Sequence, residues 1–140
     1  MIIASEKATF SDPHVQWGLV AGDGAPIIWP LLIGVARAKQ YVLTGDVVTA
    51  KEAERIGLVN QVVPHDQLMP TAMALAQRLA NGATKAIRGT KMCFNKRLWQ
   101  DVNLIFDLSL SLEWDTMRSK DLKEAVRAYN AGEKPKFIGR

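Results

Sequence analysis

Hydrophobic and polar positions along this chain predict short strands first and longer helices after. Two short apolar runs, at 2–4 and 8–10, flank a polar tripeptide and are typical of strands. Asp12-Pro13 then interrupts the pattern. A glycine-rich turn follows at 21–26, and its Pro26 is suited to the first turn of a helix.

The remaining pattern is largely helical, with one further strand expected at 58–63. Thr49 and Glu52 form a capping box for a short helix that stops at Gly57. In the segment 101–117, leucines stand four residues apart, which is helical spacing. Asp121 is the expected N-cap of the last helix. The other predicted helices cover 35–43, 66–80, 84–98 and 101–117.

Composition narrows the class of protein. The chain has 140 residues, of which 48% are hydrophobic and 23% charged, as in one globular unit or a piece of a larger one. Its single cysteine, Cys93, excludes a disulfide framework and favours a reducing, cytoplasmic setting. No Cys/His pattern suggests a metal, so we expect no metal site.

Charge and hydropathy argue against two kinds of partner. The net charge is +4, and the basic residues are scattered among acids, so we expect no nucleic-acid partner. The longest uncharged apolar run, at 25–36, contains prolines and a glycine. It is shorter than the roughly 20 residues that a membrane helix needs, so we expect no membrane partner either.

Several motifs at characteristic spacing resemble one enzyme family. They include Ala8-Thr9-Phe10 with Pro13, and Gly22-x-Gly24. The most specific stretch runs from Leu43-Thr44-Gly45-Asp46 to Gly57-Leu58-Val59-Asn60. Together these motifs are similar to those of the crotonase family of enoyl-CoA hydratases and isomerases, and the resemblance covers essentially the whole chain.

The resemblance implies an α/β fold of the ClpP/crotonase type. Residues 1–64 would form the last ββα turn of a spiral core, and 65–140 a helical trimerisation region. The chain would be the C-terminal half of a subunit that assembles as a homotrimer or a hexamer. A lone half-subunit is expected to expose apolar helix faces that its partners would cover.

The implied activity is that of a lyase or isomerase of fatty acid metabolism. Its substrate would be an acyl-CoA thioester, with coenzyme A as part of the substrate and no covalently bound cofactor. In the family, backbone amides form an oxyanion hole that stabilises an enolate-like transition state. The segments that carry these amides would precede Met1, so we expect a truncated sequence that is inactive alone. The alternative is a non-catalytic subunit that keeps only the oligomerisation helices.

Two candidate catalytic residues follow from the resemblance. His14 occupies the position at which hydratases carry their second catalytic glutamate, and an imidazole can act as an acid or base near neutral pH. Because it cannot replace a permanently anionic base, isomerase, thioester hydrolase, carbon–carbon cleaving and weak hydratase activities all stay open. A lining role for His14 is the alternative. Asp23 is either a base that reaches the acyl group or a turn residue.

Substrate binding is predicted at two places. Gly22 and Gly24 would shape the loop beside the acyl chain, and Trp17 would line the acyl pocket or belong to the core. Lys134 and Lys136 would meet the phosphates of coenzyme A, a point-charge attraction that tolerates loose geometry. A solvated basic tail would give the same pattern.

Overall fold

The computed structural model describes residues 1–140 and contains four short strands and six α-helices. The strands are β1 (Ile3–Ser5), β2 (Thr9–Phe10), β3 (Val48–Thr49) and β4 (Gln61–Val63). The helices are α1 (Ala25–Ile33), α2 (Val35–Thr44), α3 (Ala50–Ile56), α4 (Leu68–Ala80), α5 (Thr84–Met117) and α6 (Lys120–Ala131). Short 3₁₀ turns cover His14–Trp17 and His65–Gln67. None of the helices has the length and apolar composition that crossing a membrane requires.

The chain divides into two compact units. The first contains residues 1–10 and 48–103, and the second contains 11–47 and 104–140. Each unit draws residues from both sides of the predicted boundary at 64/65. The predicted division at 64/65, between a spiral core and a helical region, stays a prediction.

The first unit is built on two pairs of strands. β1 runs parallel to β4, with Ile3 opposite Gln61, while β2 runs antiparallel to β3. Val48 and Ala53 are among its most deeply buried side chains. The Thr49 hydroxyl accepts a hydrogen bond from the Glu52 amide at 3.3 Å, which confirms the predicted N-cap of α3.

The second unit is helical and holds the candidate site. α1 packs on α2, and Ala21, Ala25 and Val42 form a small core against which Trp29 packs. Pro26 lies in the first turn of α1, as predicted. The structure is mixed α/β, in agreement with the fold class predicted from sequence.

Two predictions about the C-terminal helices are wrong. The segments 84–98 and 101–117 form one helix, α5, because no glycine or proline interrupts the chain between them. Ser119, rather than Asp121, caps α6 by accepting a hydrogen bond from the Leu122 amide at 3.1 Å. The Asp121 carboxylate instead accepts hydrogen bonds from backbone amides of the C-terminal tail.

The inward face of α5 is polar, and its leucines face outward. Leu104 and Leu108 are 78% and 63% exposed, whereas the buried side chains of this helix are Ser109 and Glu113. The buried face of α5 is therefore formed by polar residues that stand four positions apart. The outward leucines agree with the expectation of exposed apolar helix faces, as do Phe94 and Trp99.

Candidate active site

The His14 imidazole is fixed by the carboxylate of Asp12. Oδ1 of Asp12 accepts a hydrogen bond from the His14 amide at 3.2 Å, which forms an Asx-type turn around Pro13. The same oxygen lies 2.6 Å from His14 Nδ1. Asp12 is buried, so this contact orients the ring and leaves Nε2 available for chemistry.

Two further carboxylates face the opposite side of the ring. Oε1 of Glu113 lies 3.8 Å from His14 Nε2, and Oδ2 of Asp23 lies 3.9 Å from it. The Asp23 side chain is 64% exposed, whereas that of Glu113 is 11% exposed. The structure therefore brings Asp23 beside His14, as expected if it belongs to the site, and its role in proton transfer stays a prediction.

These neighbours change the protonation of His14. Burial lowers the pKa of the imidazole, but the hydrogen bond to Asp12 raises it. The negative charges of Asp12, Asp23 and Glu113 raise it further, and the net pKa lies above the ordinary value of 6.5. The site therefore favours the imidazolium, which is the form that donates a proton.

Glu113 is the residue of the site that sequence reasoning missed. It reaches His14 because α5 is anchored to the loop at 20–22. The Ser109 hydroxyl donates to the Gly22 carbonyl at 2.8 Å, and the Thr116 hydroxyl accepts from the Val20 amide at 3.1 Å. The polar residues Ser109, Glu113 and Thr116, at helical spacing within an apolar segment, were the available signal.

The two glycines of the loop have different roles. A Cβ at Gly22 would lie 2.6 Å from the Ser109 carbonyl oxygen and 2.5 Å from Oε2 of Glu113, so this position requires glycine. Gly24 is the N-cap of α1 with φ of 149°, and nothing lies within 4 Å of a Cβ placed there. Gly22 thus shapes the site through packing and Gly24 through backbone conformation.

Trp17 lines two neighbouring cavities in the second unit. One, of about 220 Å³, is also lined by Pro13, His14, Leu19 and Leu122. The other, of about 600 Å³, is lined by Trp17, Tyr129, Lys134 and Phe137 among others. The Trp17 and Tyr129 rings lie 5.2 Å apart. Trp17 therefore lines both cavities, and its place at an acyl pocket stays a prediction.

The two tail lysines are not equivalent. Lys134 lines the larger cavity, whereas the backbone amide of Lys136 donates to Oε1 of Glu124 at 3.1 Å and Lys136 lines neither cavity. The structure thus brings Lys134, but not Lys136, beside Trp17. Phosphate binding by either lysine stays a prediction.

The cluster around His14 also has the donor types of a metal site. Asp12, His14 and Asp23 each offer one ligand atom within 4.8 Å of the others. Because Asp12 Oδ1 and His14 Nδ1 already bind each other at 2.6 Å, we interpret the cluster as a proton-transfer site.

Comparisons with known proteins identify the family to which this chain belongs. The sequence profile described as enoyl-CoA hydratase/isomerase matches residues 1–140. A short-chain-enoyl-CoA hydratase of Clostridioides difficile is 37% identical over 91% of this chain and 82% of its own length. The chain belongs to the enoyl-CoA hydratase/isomerase family, within the crotonase superfamily.

Solved structures agree with this assignment. An enoyl-CoA hydratase/isomerase from Mycobacterium paratuberculosis superposes with a TM-score of 0.84 at 37% identity, over 91% of this chain and 51% of that one. A β-diketone hydrolase from Anabaena superposes with a TM-score of 0.79 at 35% identity, over 88% of this chain and 48% of that one. These similarities confirm the predicted crotonase fold.

The chain spans about half the length of most of the relatives compared. A crotonyl-CoA hydratase of Syntrophomonas wolfei, for example, is 34% identical over 99% of this chain but only 53% of its own length. The comparisons do not support the narrower prediction that the chain is the C-terminal half of a subunit. That placement therefore has no support beyond the motif resemblance.

Proposed function

We propose that this chain contributes the proton-transfer site of an enzyme that acts on acyl-CoA thioesters. The observation that carries the proposal is the His14 ring, held at Nδ1 by Asp12 at 2.6 Å, with Nε2 facing the space between Asp23 and Glu113. Membership of the enoyl-CoA hydratase/isomerase family supports the choice of substrate.

In this proposal, His14 moves a proton to or from the carbon next to the thioester carbonyl. The imidazolium donates its Nε2 proton to the enolate carbon and becomes neutral, and the neutral ring takes the proton back in the reverse direction. Negative charge on the thioester oxygen is stabilised by backbone amides of the complete subunit, as the family resemblance implies. Asp12 keeps Nδ1 protonated throughout and holds the ring in place.

Two cavities support binding of an extended substrate on the same unit. The smaller cavity touches His14 and is lined otherwise by Pro13, Trp17, Leu19 and Leu122, so it suits an apolar acyl group. The larger cavity combines aromatic side chains with Lys134, so it suits a polar, anionic part of the same molecule. Trp17 lies on both.

The proposal is tested by proton exchange in the full-length protein that contains this chain. Butyryl-CoA is incubated in D₂O, and deuterium at the carbon next to the carbonyl is followed by NMR. We expect exchange well above the enzyme-free rate. The absence of exchange would contradict the proposed function.

A second candidate function is cleavage of a carbon–carbon bond in a β-diketone. Two points favour it: the family resemblance puts His14 where hydratases carry glutamate, and one solved structure at 35% identity is a β-diketone hydrolase. Neutral His14 would take a proton from water while the water oxygen attacks one carbonyl carbon. The bond to the central carbon then breaks, and the imidazolium protonates the enolate that leaves, giving a ketone and a carboxylic acid, which loses its proton to the solvent.

The two candidate functions are distinguished by the substrate on which the protein acts. Under the first, the protein exchanges the proton of butyryl-CoA and leaves pentane-2,4-dione intact. Under the second, pentane-2,4-dione and water yield acetate and acetone, which NMR resolves. Cleavage of the diketone without exchange on butyryl-CoA would replace the first proposal by the second.

A further inference from the structure

Glu113 is a buried carboxylate to which the family resemblance assigns no role. The residue is only 8% exposed, and its one ion-pair partner in the structure is the His14 ring. A buried carboxylate is costly unless it is paired or used, because burial removes the water that solvates its charge. Because Glu113 lies beside a candidate catalytic histidine, we expect its carboxylate to have a function in the site.

The position of Glu113 is set by contacts on both sides along α5. Ser109, one helical turn before it, binds the Gly22 carbonyl, and Thr116, three residues after it, binds the Val20 amide. Both anchors hold the same loop. The absence of a side chain at Gly22 lets Glu113 approach, since a Cβ there would lie 2.7 Å from Glu113 Cβ. The carboxylate is thus held at a defined place relative to His14.

The distance between Glu113 and His14 suits a shared water molecule. At 3.8 Å, Oε1 and Nε2 are too far apart for a direct hydrogen bond. A water oxygen placed between them can lie at about 2.8 Å from each, which is ordinary hydrogen-bonding distance. Asp23 Oδ2, at 3.9 Å from the same nitrogen, bounds this space on its exposed side.

We propose that Glu113 is a second catalytic residue, which holds and deprotonates the water that adds to an enoyl-CoA. The proposal rests on the proposed function, because it uses His14 as the acid. The water oxygen forms a bond to the β-carbon, and its proton passes to the Glu113 carboxylate. The electron pair of the double bond moves to the α-carbon, which takes the Nε2 proton of His14. A proton then returns from Glu113 to His14 and resets the site.

This arrangement supplies the carboxylate base that His14 alone does not provide. The Glu113 carboxylate comes from α5 and lies on the side of the ring opposite Asp12. In this mechanism, His14 donates a proton to the α-carbon, and Glu113 accepts a proton from the water. The inference therefore selects water addition among the reactions that the His14 position leaves open.

The test compares Glu113→Gln with Asp107→Asn in the full-length protein. Asp107 is an exposed carboxylate on the same helix and is a matched control for loss of charge. Two rates are measured: hydration of crotonyl-CoA, and deuterium exchange into butyryl-CoA, which needs His14 but no added water. Circular dichroism melting checks that each variant is folded.

The expected result is a selective loss. Glu113→Gln should lower kcat for hydration at least about tenfold, the low side of general acid–base contributions. It should change KM less than about threefold and leave deuterium exchange within about threefold of wild type. Asp107→Asn should leave both rates unchanged.

Three outcomes would overturn the inference. One is hydration by Glu113→Gln at the wild-type rate. Another is equal loss of hydration and exchange, which would make Glu113 a structural support of His14. The third is a wild-type protein that exchanges the proton but adds no water, which leaves the proposed function standing. If the proposed function itself is wrong, the wild-type protein will show no deuterium exchange into butyryl-CoA, which distinguishes this case from the three above.

Discussion

The carboxylate of Asp12 and the imidazole of His14 meet at 2.6 Å, although the two residues are separated only by Pro13. A proline at the intervening position fixes its own φ and restricts the residue before it, so the turn is stiff. The pair is therefore set by local sequence. The groups on the other side of the ring come from the glycine-rich loop and from α5.

Replacing Asp12 by Asn tests whether the contact between these two residues raises the pKa of His14. The amide keeps the size of the carboxylate but removes its charge, so we expect the pKa of His14 to fall. Exchange of deuterium into butyryl-CoA should drop about tenfold, within the usual range for a general acid–base group. NMR titration of the imidazole and the exchange assay measure the two effects.

Asp46→Asn is the matched control for that substitution, since Asp46 is an exposed aspartate of the same unit. It should leave both the titration and the exchange rate as in wild type. An unchanged pKa of His14 in Asp12→Asn would show that the contact with Asp12 does not set the protonation of the imidazole.

The raised pKa of His14 also predicts a pH dependence of stability. A group whose pKa is higher in the folded protein stabilises the fold fully below its unfolded pKa, and that contribution is lost as pH rises through the folded value. His14 should therefore favour the folded state below about pH 6.5 and cease to do so at higher pH. His14→Gln removes this contribution.

Denaturant unfolding at about pH 5.5 and about pH 9 measures the effect. Relative to His14→Gln, the wild-type protein should be more stable at the lower pH than at the higher one. Parallel behaviour of the two proteins across this range would contradict the assigned shift.

Gly22→Ala tests the packing of α5 on the loop. The new methyl group would lie 2.6 Å from the Ser109 carbonyl oxygen, which is backbone and moves only with the helix. We expect destabilisation of about 1–3 kcal/mol, the usual cost of overpacking. Displacement of Glu113 should also lower the hydration rate. Gly24→Ala leaves the contact intact because its surroundings are open, although its positive φ adds backbone strain.

The free energy of unfolding and the hydration rate should respond differently in these two variants. In Gly22→Ala both should fall, whereas in Gly24→Ala stability falls without a selective loss of hydration over exchange. Wild-type stability and hydration in Gly22→Ala would show that α5 does not need the glycine.

Much of the fold could be predicted from local signals. Glycines and prolines mark the ends of α1, α2 and α3, and the Thr49 cap was recognisable because its partner lies three residues away. The continuous α5 was missed because a polar stretch near residue 100 resembles a boundary, although it contains no helix breaker. Local sequence does not decide which face of such a helix is buried.

Only the part of the candidate site that lies within one local motif could be predicted from the sequence. His14 and its glycine-rich loop lie in one motif, so the resemblance identified them together. Glu113 lies 90 residues after Asp23 in the sequence, and its position depends on long-range hydrogen bonds from Ser109 and Thr116. The leucine repeat of the same helix forms an exposed apolar face, as expected, but it does not indicate which polar residues lie on the opposite face. Only tertiary packing shows which polar residues point inward.

The most direct test of the account is proton exchange by His14→Gln. The full-length variant is incubated with butyryl-CoA in D₂O, beside His65→Gln, which removes the chain's other histidine, an exposed one. If His14 moves the proton, its replacement lowers the exchange rate at least about tenfold while His65→Gln matches wild type. Exchange by folded His14→Gln at the wild-type rate would contradict the account, since His14 would then only line the pocket.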